Sequence, residues 1–111
     1  MSVPLIVNVA LTGCVFNQWN YPDLPVTPQE VAEEARRCYA VGATVFHIHA
    51  RDYMGAPTWH KTEYAEYIEA FRHYLPESVL CVSTSGRLWS ELDKRVDVLY
   101  LDGIDMASLT L

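Results

Sequence analysis

Apolar and polar positions alternate between two spacings along the chain. Residues 4–11, PLIVNVAL, are almost wholly apolar, the pattern of a strand buried on both faces of a parallel sheet. A long segment rich in Gly, Pro, Asn and Asp follows, TGCVFNQWNYPDLPVTP, and reads as a loop of functional length. A helix then starts sharply. Thr27 is a good N-cap, Pro28 suits the first helical position, and Glu30 completes a T-x-x-E capping box. Val31, Ala35, Cys38 and Tyr39 form one apolar stripe, and Gly42 stops the helix. The pattern returns to a strand over 44–49, then a loop containing Gly55 and Pro57. A second helix spans 62–74, with Tyr64, Ile68, Phe71 and Leu75 as its stripe and Pro76 as its end. A third strand over 79–83, a shorter helix over 89–96 and a fourth strand over 105–111 complete the chain.

The order β-α-β-α-β-α-β predicts parallel strands joined by right-handed crossovers. The fold class expected is α/β, and the architecture a (β/α)8 TIM barrel of which this chain supplies about the first half, as part of one domain. A strand at the chain's end with no helix after it would be a half-covered edge. We therefore expect the N-terminal portion of a longer enzyme rather than a small open sheet.

The chain has 111 residues, half of them hydrophobic and a fifth charged, as suits a globular domain with a core. A formal charge of −6 and the lack of a basic cluster argue against nucleic acid as partner. No apolar run approaches the roughly 20 residues of a membrane span, and the first residues lack the basic start of a signal peptide. Three cysteines, Cys14, Cys38 and Cys81, share no metal-type spacing and read as reduced thiols, two of them in core positions, of a cytoplasmic protein.

Candidate chemistry gathers at the carboxyl ends of the strands, where parallel sheets carry their active sites. The first strand ends in Thr12-Gly13, the second in His47 and His49 followed by Arg51-Asp52, the third in Ser83-Thr84-Ser85-Gly86, and the fourth carries Ser108 and Thr110. Side chains two apart on a strand share a face, so His47 and His49 aim two imidazoles at one point. Neutral imidazole is a favoured zinc ligand at about 2.0–2.1 Å, and the pair is the candidate metal site. A catalytic zinc takes three protein ligands, and the third is expected from elsewhere. His60 and His73 lie away from the strand ends, and Asp52 reads as a loop group. STSG offers hydroxyls and a glycine for cradling a carboxylate or phosphate. Arg51 has two open readings, a bidentate anion anchor or a surface partner of Asp52. The three tryptophans read as packing residues.

Taken together, ALTG at 10–13, LPVTPQEVAEEA at 24–35, GATVFHIHARD at 42–52, VSTSG at 82–86 and MASLTL at 106–111 resemble the β-keto acid cleavage enzymes, whose type member is the 3-keto-5-aminohexanoate cleavage enzyme. The resemblance covers essentially the whole chain. It implies a longer (β/α)8 barrel, usually oligomeric, with one zinc. The implied reaction condenses a β-keto acid with acetyl-CoA to give acetoacetate and a new acyl-CoA, with zinc as Lewis acid. By position His47 and His49 match the metal-binding histidines. Ser83, Gly86 and Ser108 match residues that hold the keto acid, and Thr84 and Arg51 are further candidates. A glutamate as third zinc ligand and an acidic base are implied beyond Leu111. Val15 stands where the amino-keto acid enzyme has a glutamate that meets the substrate's ammonium group, so an uncharged tail is expected here. Two other readings stay open: a non-catalytic half-barrel that needs a partner chain, and another metal-dependent barrel aldolase or hydrolase.

Overall fold

A computed structural model of the chain describes residues 2–110. Its elements are β1 (Asn8–Ala10), α1 (Pro28–Ala40), β2 (Val45–Ile48), α2 (Lys61–Tyr74), β3 (Val79–Val82), α3 (Leu92–Val96), a 3-10 turn over Asp97–Tyr100, and β4 (Met106–Ala107). The four strands form one parallel sheet in the order β1-β2-β3-β4. A doubly wound sheet reverses its strand order at a switch point. No reversal occurs here, and α1 and α2 pack side by side on the same face of the sheet. This is the layout of half of a (β/α)8 barrel.

The period-two pattern explains which face is which. Phe46 and Ile48 of β2 and Leu80 and Val82 of β3 join one core with Val31, Ala32 and Ala35 of α1 and Tyr64, Tyr67, Ile68 and Phe71 of α2. The Phe46 and Phe71 rings lie 5.7 Å apart at its centre. Alternation sends His47 and Cys81, paired across β2 and β3, to the opposite face. The α1 start is built as its sequence requires. The Thr27 hydroxyl accepts from the Glu30 amide, and the Glu30 carboxylate accepts from the amides of Thr27 and Val26. These amides, Thr27's foremost, hold the Glu30 carboxyl below its usual pKa.

Several expectations are corrected. The first strand is three residues long, and Leu5 and Ile6 before it are 84% and 75% exposed, because β1 is an edge that pairs only with β2 among the described residues. Tyr39 ends the α1 stripe exposed, while Ala32, which the stripe omitted, is fully buried. The third helix starts at Leu92 rather than Trp89 and tightens into the 3-10 turn. The fourth strand is two residues long; Leu111, its expected end, lies outside the described residues. Of the cysteines, Cys81 alone is buried, with Cys14 and Cys38 half-buried. No helix among the described residues is long and apolar enough to cross a membrane.

Candidate active site

The strand ends bring the candidate residues to one rim. The His47 and His49 rings stand on the same side of β2, centroids 4.6 Å apart and tilted by 39°. Both imidazoles are biased towards the neutral form. Burial lowers the pKa of His47. Burial first, then the charges of His47 and Arg51, pull His49 down to about 4. Neutral imidazole carries the free lone pair that a metal needs. The Nδ1 atom of His49 is buried without a hydrogen-bond partner, an orphan whose desolvation nothing in the described chain offsets. The donor set thus fits a borderline metal such as zinc. It is two ligands of a site, since no three His, Cys, Asp or Glu side chains among the described residues come together to hold a metal ion.

Beside His49 the β3 terminus hangs in a net of hydrogen bonds. The Ser83 amide donates to the Ile48 carbonyl at 3.1 Å, extending the ladder past β3. The Ser83 hydroxyl accepts from the Ser85 amide at 3.3 Å. The Thr84 amide donates to the Ser108 hydroxyl at 3.2 Å, and the Thr84 hydroxyl donates to the Ser108 carbonyl. Ser108 therefore braces the loop from β4. From the other side, the Arg95 guanidinium donates to the carbonyls of Thr84 at 3.0 Å and Thr110 at 2.7 Å.

His49, Ser83 and Thr84 line a shared cavity of about 30 Å³, close to the space of a single water, together with Cys14, Trp59 and Tyr64. Gly86 instead faces a neighbouring open cleft with Ser85 and Arg95. Two other candidates lie apart. Val15 is 59% exposed in the loop after β1. Arg51 fits neither of its readings. Its side chain donates to the carbonyls of Gly13 and Phe16 at 2.8 Å and Gly55 at 3.0 Å. Asp52 turns away, accepting from its own loop amides at Met54 and Ala56. Arg51 is a clamp between the β1 and β2 loops, 4% exposed.

Pattern reasoning missed Tyr64 as a lining residue, since its place in the α2 stripe marks it as core. It is both: buried, with its hydroxyl towards the Ser83 carbonyl at 3.5 Å. Trp59 and Trp89 were expected merely to pack, yet both line the cavity, where the Lys94 ammonium lies 5.7 Å from the Trp59 ring. The one signal for Lys94 and Arg95 was the adjacent basic pair in LDKRV, set on the first helix after the third strand.

Strand ends that gather paired imidazoles, hydroxyls and cations on one rim of a half-barrel place this chain in the class of (β/α)-barrel proteins. Comparison with known proteins narrows the class. The model of the beta-keto acid cleavage enzyme family matches residues 4–111. The 3-keto-5-aminohexanoate cleavage enzyme of Acetoanaerobium sticklandii is 30% identical over 105 residues, covering 95% of this chain and 38% of that protein. The 3-oxoadipate:acetyl-CoA acetyltransferase of Cupriavidus necator is 32% identical over 87 residues, covering 78% of this chain and 31% of that protein. A solved structure, the ternary complex of ObcA with C4-CoA adduct and oxalate, matches with a TM-score of 0.67 at 25% identity, over 79% of this chain and 23% of that one. The chain belongs to the β-keto acid cleavage enzyme family. It spans about a third of the length of the curated relatives it matches.

Proposed function

We propose that this chain supplies the metal-binding and keto-acid-binding part of a zinc-dependent β-keto acid cleavage enzyme. The reaction condenses a β-keto acid with acetyl-CoA and yields acetoacetate and a new acyl-CoA. The observation that carries this reading is the adjacent pair of neutral, desolvated imidazoles at the rim, His49 with an unpartnered Nδ1. His47 and His49 are the residues that hold the zinc, with a carboxylate from outside the described residues as third ligand. Bound there, zinc supplies Lewis acidity towards the keto acid's oxygens. Ser83 and Gly86 bind the keto acid, and Ser108 acts through Thr84, holding the loop in place. Further support comes from the names of the relatives, a cleavage enzyme and an acetyl-CoA acetyltransferase. As the resemblance implies, the assembly is a homo-oligomer, and we place it in the cytoplasm.

Metal titration of the protein tests the reading. Zinc binding should be at least tenfold weaker in His47→Ala or His49→Ala, each imidazole lost costing roughly that much or more. Equal zinc affinity in both variants and the wild type would remove the basis of the proposal.

The expected substrate follows from the resemblance, which puts Val15 where the amino-keto acid enzyme has a glutamate, and not from the exposed place of Val15 in the loop after β1. A valine cannot offset an ammonium group, and burying one unpaired is costly. We infer that a keto acid with an uncharged tail turns over faster than its aminated analogue. Side-by-side kinetics on the two decides it, and preference for the aminated substrate refutes it.

A second reading draws on the exposed apolar residues Leu5 and Ile6 ahead of β1 and Leu109 after β4. They suit a half-barrel that associates through its sheet edges. A zinc-free dimer whose population follows concentration would favour this reading over the first.

A further inference from the structure

Two neighbouring loops carry large apolar side chains into solvent. In the loop after β2, Tyr53 is 96% and Met54 78% exposed, and in the loop after β1, Trp19 is 92% exposed. Beside these tips lies an open cleft of about 560 Å³, walled by Val26 and Pro28 at the start of α1 and by Glu63, Glu66 and Tyr67 of α2. Resting on the homo-oligomer expected above, we propose that this patch is the contact with a second copy of the chain. The Tyr53–Met54 tip of each copy seats in the cleft of the other.

Three observations point there. First, the tip is held without help from the side chains it displays. The Asp52 carboxylate accepts from the Met54 amide at 2.9 Å and the Ala56 amide at 3.0 Å. The Asp52 amide donates to the Ala56 carbonyl at 2.8 Å, and the Gly55 amide to the Asp52 carbonyl at 2.9 Å. Gly55 turns the chain at a φ of +82°, and Arg51 grips its carbonyl from inside. Tyr53 and Met54 are therefore fixed in place while contributing little to the core, and a tip ordered in advance loses little freedom on docking.

Second, the apolar surface is contiguous and large. Arg51 donates to the Phe16 carbonyl at 2.8 Å and the Gly55 carbonyl at 3.0 Å, so the two loops stand side by side. Gln18, next to Trp19 in sequence, lines the same cleft as Met54. Phe16 and Tyr21, both half exposed, stack edge to face at 4.8 Å in the Trp19 loop. With a whole aromatic side chain at roughly 150–250 Å², these four rings offer on the order of 600 Å². That is at the upper end of what a monomer leaves bare, and Met54 brings it close to the roughly 800 Å² that each partner gives to a standard interface. Tyr, Trp and Met are also the residue types enriched in interface centres.

Third, the patch fits itself. It carries a projecting tip and a recess side by side, so a two-fold axis between two copies satisfies both at once. The charges agree with this. Asp52, Glu63 and Glu66 make the recess acidic, and none of them has an ion-pair partner among the described residues. The tip that enters carries no carboxylate at Tyr53 or Met54, and its Tyr53 hydroxyl can donate to a carboxylate of the other copy.

Sedimentation equilibrium of the protein over a range of concentrations tests the proposal on the wild type, Met54→Glu, Met54→Lys and Trp19→Ser. All three substitutions fall on exposed side chains, and an unchanged urea midpoint with retained zinc affinity checks that the fold and rim are intact. The expected result is self-association weakened by roughly tenfold or more in Met54→Glu, which sets like charges against each other in the recess. Met54→Lys should associate more tightly than Met54→Glu, and Trp19→Ser more weakly than the wild type. Equal weakening by Glu and Lys overturns the seating of the tip in the acidic cleft. A wild type that stays monomeric overturns the contact altogether, while its zinc affinity leaves the reading of the metal site in place. Association lost in Leu109→Glu but untouched in Met54→Glu overturns it in favour of the sheet edges.

Discussion

Arg51 is buried without a carboxylate beside it, and three backbone carbonyls from two loops share its charge. Burial outweighs its neighbours and lowers its pKa below the usual guanidinium value. The site tolerates this cost because the same charge ties the long loop after β1 to the loop after β2. Replacing it with methionine removes those bonds and leaves the Gly13 and Phe16 carbonyls short of a donor. Arg51→Met should lower stability by about 2–3 kcal/mol in urea unfolding. Arg51→Lys should recover little, since one ammonium cannot span three acceptors set out for a fork. Equal stability of the lysine variant and the wild type would show that charge alone matters here. Why was this role illegible in the sequence? Two of the three residues Arg51 grips lie 35 and 38 positions away, and no local spacing encodes such a contact. His47 and His49, by contrast, are two apart, and strand alternation alone puts their rings on one side.

At the scale of elements, α1 and α2 were legible because their signals are local. The capping box at Thr27 and Glu30 is present on both of its arms. Every residue of the α2 stripe, Tyr64, Ile68, Phe71 and Leu75, is buried. Tyr67 was not part of that stripe, yet it is buried for a second reason. Its hydroxyl donates to the Val26 carbonyl and accepts from the Arg51 amide at 3.2 Å, so α2 holds the loops that lead into α1 and out of β2. The outer strands were less legible, because their length depends on pairing and not on composition. PLIVNVAL is apolar enough for eight residues of strand, but β2 offers pairing partners to three. For α1 the local signal makes a direct prediction. Thr27→Ala removes the acceptor for the Glu30 amide and should cost about 1 kcal/mol. Thr27→Asp should retain most of the stability, because a carboxylate accepts the same bond and favours the positive end of the helix. Chemical unfolding of the two variants separates a lost cap from a lost methyl group.

For the molecule as a whole, stability and site share a buried tyrosine, Tyr64. Burial pushes the Tyr64 hydroxyl up to about 12, against 10.0 for an ordinary tyrosine, and burial likewise raises Tyr67. The folded chain therefore keeps protons that the unfolded chain releases. Below pH 10 both states are protonated and the preference contributes its full share to stability. Between pH 10 and about 12 the unfolded state ionises first at Tyr64, so folding stability falls as pH rises, by about 1.4 kcal/mol per pH unit for that tyrosine. Above the folded pKa the loss levels off. Tyr64→Phe removes one titrating group and a hydrogen bond of 3.5 Å, so it should be near neutral at pH 8 and should flatten the alkaline decline. Urea midpoints measured from pH 8 to 12 for the two proteins test this. Parallel curves would mean that the Tyr64 hydroxyl reaches water in the folded chain, and the wall it forms beside His49 and Ser83 would then be open to solvent.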